Sequence, residues 1–103
     1  MSDPLPVKVT RRAEREIEKA DEWWRENRDA APKALREELQ NAFRLIAIQP
    51  HIGARATNTK LPGVRRIQLS RVHYYLYYRV SPDQSVVEVL ALWHTKRGQG
   101  PRV

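Results

Sequence analysis

The chain contains no cysteine, which excludes disulfide frameworks and thiolate metal sites and makes an intracellular, cytoplasmic address the default. It lacks any run near the roughly 20 apolar residues that a membrane span needs, so no membrane partner is expected. Met1 to Thr10 has no cationic start followed by an apolar stretch, and so does not read as a secretory signal. Internal repeats, low-complexity segments and dividing linkers are absent, so residues 1–103 read as a single domain with one modest core. There is no phosphate-binding Gly-rich loop, no GxSxG and no dinucleotide fingerprint. Only three histidines occur, His51, His73 and His94, in separate elements and without an i,i+4 pair, so neither a metal nor another cofactor is expected.

Acidic residues are also scarce, but only at one end. Residues 1–59 carry eleven Lys/Arg against ten Asp/Glu. Residues 60–103 carry Lys60, Arg65, Arg66, Arg71, Arg79, Lys96, Arg97 and Arg102 against Asp83 and Glu88, a net of +6 within a total of +7. The imbalance falls on strands and the tail behind them, where it suits an anionic partner such as nucleic acid or an acidic protein segment.

What is present follows two periodicities. Val7-Lys8-Val9 alternates as a short strand, with Pro6 as its lead-in or the mark of a sheet edge. Thr10 is suited to cap a helix over 11–28, whose apolar stripe is Ala13, Ile17, Ala20 and Trp24. Trp23 flanks that stripe, and Glu14 to Glu26 alternate with Arg and Lys on what reads as a solvated face. Pro32 is suited to open a second helix, striped by Leu35, Leu39, Ala42, Phe43 and Ile46 and stopped by Pro50. The short connection makes the two helices an antiparallel hairpin. Residues 49–63 read as loop, marked by Pro50, Gly53, Asn58 and Leu61-Pro62-Gly63. Strands follow over 64–71, 73–80 and 86–93, the last apolar on both faces except at Glu88, and 94–103 reads as a polar tail. The expected fold is α+β, β-α-α-β-β-β, with a curved, largely antiparallel sheet and a helical hairpin packed on one face.

That pattern gathers Arg66, Gln68, Tyr75, Tyr77 and Arg79 on the sheet face away from the helices, with His94, Lys96 and Arg97 at the end of the last strand. Arginine binds phosphate or carboxylate through two parallel hydrogen bonds, and tyrosine adds stacking surface and a hydroxyl.

The order of elements, Thr10-Arg11-Arg12-Ala13-Glu14 and Trp23-Trp24 resemble RelE/ParE toxins of bacterial type II toxin–antitoxin modules. So do Leu61-Pro62-Gly63-Val64-Arg65-Arg66, Tyr77-Tyr78-Arg79-Val80 and Leu92-Trp93-His94-Thr95-Lys96-Arg97-Gly98. The resemblance covers nearly the whole chain. It implies one of two activities: RelE-type members cleave mRNA on the ribosome with basic sheet residues and a C-terminal Tyr or His, whereas ParE-type members poison DNA gyrase. Both are silenced by an antitoxin that wraps the toxin in a hetero-oligomer. Arg66 matches a basic position of the ribonucleases, but Tyr75 stands where they place an arginine and Gln68 where they place a second basic residue. Lys96 or Arg97 fills the arginine position after the last strand. The terminal tyrosine is missing, which leaves His94 for proton transfer.

The resemblance is therefore closer to ParE: no catalytic residue is assigned, and the expected target is gyrase, with a ParD-like antitoxin as partner. Target or antitoxin contacts are expected at Arg65, Arg66, Arg71, Tyr75, Tyr77, Arg79, His94, Lys96, Arg97 and Trp23. The rival is a metal-independent endoribonuclease acting on ribosome-bound mRNA through Arg66, Arg79, His94, Lys96 and Arg97. A third reading is a non-toxic module that only binds its antitoxin.

Overall fold

The computed structural model describes residues 3–57 and 59–103. Asn58, read above as a loop marker, and the first two residues of the N-terminal segment lie outside them. The elements are β1 (Val7–Val9), α1 (Arg11–Asn27), α2 (Ala34–Ile48), β2 (Ala54–Arg55), β3 (Arg65–Leu69), β4 (Tyr74–Val80) and β5 (Val87–His94). The α+β class and the helical hairpin agree with the pattern of the sequence. The sheet has one more strand than expected, because the two-residue β2 pairs antiparallel with β3 inside the segment read as loop.

The five strands run in the order β1-β5-β4-β3-β2, antiparallel throughout except for the parallel pair β1·β5. Pro6 does lead into an edge strand, and its carbonyl accepts from Val87 N at 2.9 Å. Thr10 caps α1 as expected: its hydroxyl accepts from Ala13 N, while its own N–H donates to Val89 O. At the other end of α1, Trp24 Nε1 donates to Ala31 O at 2.7 Å, which pins the connection between the helices. Pro32 lies in that connection, ahead of a helix that starts at Ala34 rather than opening it.

The helices cover one sheet face. Leu35, Ile46, Leu76, Tyr78, Val87 and Val89 are fully buried between the layers, as the two helical stripes and the alternation of β4 require. The opposite face differs from expectation. Val64, Tyr77, Leu90 and Ala91 form a second small core, packed with Ala56, Leu61, Trp93 and Val103. The segment read as a polar tail folds back over it. Pro101 is buried, Arg12 Nη1 donates to Arg102 O, and Lys60 N donates to Val103 O.

Two carboxylates of α1 also leave the solvated role expected of them. Asp21 is 3% exposed and pairs with Arg36 of α2 at 2.8 Å and with Arg25 at 3.3 Å. Glu16 accepts from Leu92 N at 3.1 Å, satisfying a β5 amide beyond the reach of the three-residue β1.

Candidate functional site

A β-bulge decides where the candidate residues point. Tyr77 pairs with Ala91 but Tyr78 pairs with Val89, so Leu90 is an extra residue in β5. Up to Val89 the helix-facing positions are Val87 and Val89; after the bulge they are Leu92 and His94. His94, expected at the end of the last strand, therefore lies on the helix side of the sheet, away from Arg66 and Tyr75. Its ring meets Tyr74 edge-on at 5.1 Å, and its Nδ1 accepts from Lys96 N at 3.2 Å. Burial pushes the Tyr74 hydroxyl pKa up.

The residues gathered from the sequence divide among four places. On the tail-covered face, Arg66 stacks on Tyr75 with its guanidinium carbon 4.1 Å from the ring centre, and its Nη1 donates to Tyr77 Oη at 3.2 Å. Tyr77 itself is 3% exposed, so it is core rather than open surface. Gln68 is exposed beside Tyr75, its cross-strand partner. Arg79 is on the same face but engaged: its Nε donates to Glu88 Oε1 at 2.8 Å, both side chains being largely shielded.

The second place is a groove of about 280 Å³ between α1 and the end of β5. It brings together Trp23, Tyr74, His94 and Arg97, which the sequence places far apart. Trp23 is 45% exposed and packs against Trp24 and the guanidinium of Arg28. Arg97 also lies over the Trp93 ring at 4.0 Å, while Trp93 Nε1 donates to Arg97 O. Lys96 is exposed in the turn that follows.

The third place is at the far end of the sheet. Arg65 Nη1 donates to Gly53 O at 2.7 Å, and its guanidinium lines a cleft of about 690 Å³ together with His51, Arg55 and Lys60. Gly53 is needed there: a Cβ would stand 2.7 Å from Tyr78 Oη and 2.8 Å from Arg66 O. Tyr78 Oη accepts from Gly53 N at 2.9 Å. Burial raises the Tyr78 pKa, opposed by that amide and by the Arg65 charge. Arg71 stands apart as the fourth place, exposed and loosely paired with Glu37 at 3.6 Å.

Sequence reasoning missed the parts played by Asp21, Arg36, Gly53, Arg55 and Lys60. Arg55 sits on a strand of two residues, too short to show a period. A visible signal does exist for Asp21, which falls four residues after Ile17 and three before Trp24 of the apolar stripe, although its charge argues for solvent.

Between α1 and α2 lies a further groove of about 430 Å³, with Ile17, Leu39 and Phe43 as apolar lining and Asp21, Arg25 and Arg36 at its polar side. Asp21 Oδ1 is buried without a hydrogen-bond partner. Among the described residues no three His, Cys, Asp or Glu side chains converge to hold a metal. No helix there is long and apolar enough to cross a membrane.

Comparison with known proteins agrees with this architecture. A structure of the chromosomal ParDE toxin–antitoxin system of P. aeruginosa superposes with a TM-score of 0.71 at 20% identity, covering 92% of this chain and 100% of that one. The RelBE2 toxin–antitoxin complex of Mycobacterium tuberculosis matches with a TM-score of 0.62 at 24% identity, over 88% and 98% of the two chains. A variant of the E. coli toxin RelE in the free state gives 0.59 at 19%, over 92% and 87%. At these identities the likeness is one of fold. Among curated protein sequences, none matches the chain. The family described as ParE toxin of type II toxin–antitoxin system, parDE, matches residues 7–98. The chain thus belongs to the ParE toxin family of type II toxin–antitoxin systems.

Proposed function

We propose that this ParE-family toxin acts in the cytoplasm on DNA gyrase and not on ribosome-bound mRNA. The observation that carries this reading is the dispersal of the ribonuclease candidates. Metal-free RNA cleavage needs a phosphate-stabilising cation and a proton donor or acceptor within reach of one phosphorus. Of the candidates only His94 and Arg97 share a groove, and Arg97 is stacked on Trp93; Arg66 lies on the opposite side of the sheet, and Arg79 is neutralised by Glu88. Tyr75 and Gln68 supply no cation where one would be wanted. The test is direct: excess toxin should inhibit gyrase supercoiling or trap cleaved DNA, and should leave mRNA on programmed ribosomes intact. Full gyrase activity together with rapid mRNA cleavage would overturn the reading.

The antitoxin, on the same proposal, engages the helical hairpin. The groove between α1 and α2 offers an apolar floor with charged edges, as an amphipathic helix requires, and the unpartnered Asp21 Oδ1 can accept a donor from it. Exposed Trp23, Leu45, Ile48 and Ile52 extend the apolar surface around the hairpin. Phe43→Glu should weaken antitoxin binding by at least tenfold without unfolding the toxin. Unchanged binding would place the antitoxin elsewhere.

A further inference from the structure

The cleft at the β2–β3 end of the sheet is not used by the reading above. Arg55 and Arg65 are direct cross-strand partners on this edge. Like charges placed opposite one another in a sheet repel, and a nearby carboxylate ordinarily relieves the strain. No side-chain carboxylate does so here: the cleft lining holds His51, Arg55, Lys60 and Arg65 and no Asp or Glu. Both side-chain carboxylates of the last 44 residues are engaged, Glu88 by Arg79 and Asp83 by the hydroxyls of Ser81 and Ser85. The Val103 carbonyl oxygen is bound by the main-chain amide of Lys60, and among the described residues no salt bridge reaches Arg55, Lys60 or Arg65.

We propose that this cleft is a binding site for the backbone phosphates of duplex DNA, with Arg55 and Lys60 as the contacting cations and Arg65 as the cation that also holds the Gly53 loop. Guanidinium and ammonium groups are donors only, and the two guanidinium forks match phosphate oxygens. An acidic amphipathic peptide would need a large exposed apolar anchor beside the charges. The exposed large side chains, Trp23, Leu45, Ile48 and Ile52, all lie outside the cleft lining. Exposed Arg55 and Lys60 instead suit a hydrated polyanion bound through counterion release.

The experiment is a salt titration of the full chain binding a short labelled duplex, with no gyrase present, so its outcome is separate from the gyrase reading. Three neutralised phosphates give affinity falling about 40-fold between about 50 and about 200 mM salt. Arg55→Gln and Lys60→Gln should each lower the magnitude of the log–log slope by about 1, while Arg44→Gln, the same charge loss on exposed α2 surface, leaves it unchanged. Circular dichroism confirms that each variant is folded. The proposal fails if the duplex does not bind at low salt, or if the cleft variants match Arg44→Gln. It fails equally if a glutamate-rich peptide displaces the duplex at equal charge concentration, or if pyrophosphate binds and the duplex does not.

Discussion

Arg36 Nε lies 2.8 Å from Asp21 Oδ2, an ion pair that ties α2 to α1 through a carboxylate almost wholly removed from water. Its two arginine partners, Arg25 and Arg36, are more than half exposed. The asymmetry gives an order of effects. Asp21→Ala frees two guanidiniums that return to solvent, and should destabilise by about 1–2 kcal/mol. Replacing both arginines by alanine strands a buried charge and should cost about 3 kcal/mol or more. Urea unfolding measures both, and the reverse order would show that Asp21 is hydrated in solution.

The Gly53–Tyr78 contact makes a second prediction, on packing. Gly53→Ala drives a methyl into Tyr78 Oη and Arg66 O and should cost about 1–3 kcal/mol. Tyr78→Phe leaves the buried Gly53 amide without its acceptor, again at about 1–3 kcal/mol. Because removing the hydroxyl also makes room for the methyl, the double variant should be milder than the sum by about 1 kcal/mol. Thermal unfolding of the three variants reports the coupling, and strict additivity would refute it.

Alkaline pH should weaken the fold through Tyr74 and Tyr78. Both have pKa values raised above 10.0 in the folded state, mainly by burial. The unfolded chain releases these protons first, so their contribution is fully present below pH 10 and is lost as pH rises through the folded values. Urea midpoints should therefore fall above about pH 10, and less steeply in Tyr78→Phe. Phenolate absorbance appearing in a single phase near pH 10 in the folded protein would contradict this.

Acid acts through the β4–β5 turn. Ser81 and Ser85 hold the Asp83 carboxyl down to about 2, from 3.8. A depressed carboxylate stabilises above its unfolded pKa, and that contribution disappears as pH falls through about 2. Carboxyl carbon shifts followed by NMR should show Asp83 titrating at about 2. In Ser81→Ala its midpoint should move toward the ordinary aspartate value.

Much of the architecture was legible in the residue pattern, because burial imposes it directly. The α1 stripe from Ala13 to Trp24 and the alternation Tyr74, Leu76, Tyr78 follow from one face seeking a core, and the Thr10 cap and Pro50 stop from backbone donors at the helix ends. The candidate site was less legible. A single inserted residue, Leu90, turns His94 to the other side of the sheet, and no local propensity announces it within a strand apolar on both faces. The tail over Tyr77 is held by main-chain carbonyls of Arg102 and Val103, acceptors that every residue carries. The burial of Asp21 depends on a partner fifteen positions away on the neighbouring helix.

The parallel pairing of β1 with β5 joins Val7 to Val87, and Val89 O receives the Thr10 amide that opens α1. The first strand of the chain thus has no mate until almost the last has been synthesised. During translation the hairpin emerges with its apolar face uncovered, and the sheet that covers it closes only after a long loop has formed. A chain without β5 therefore has neither the paired β1 nor the groove beside Trp23. The groove beside Trp23 is thus completed only when β5 pairs, well after the helical hairpin has emerged.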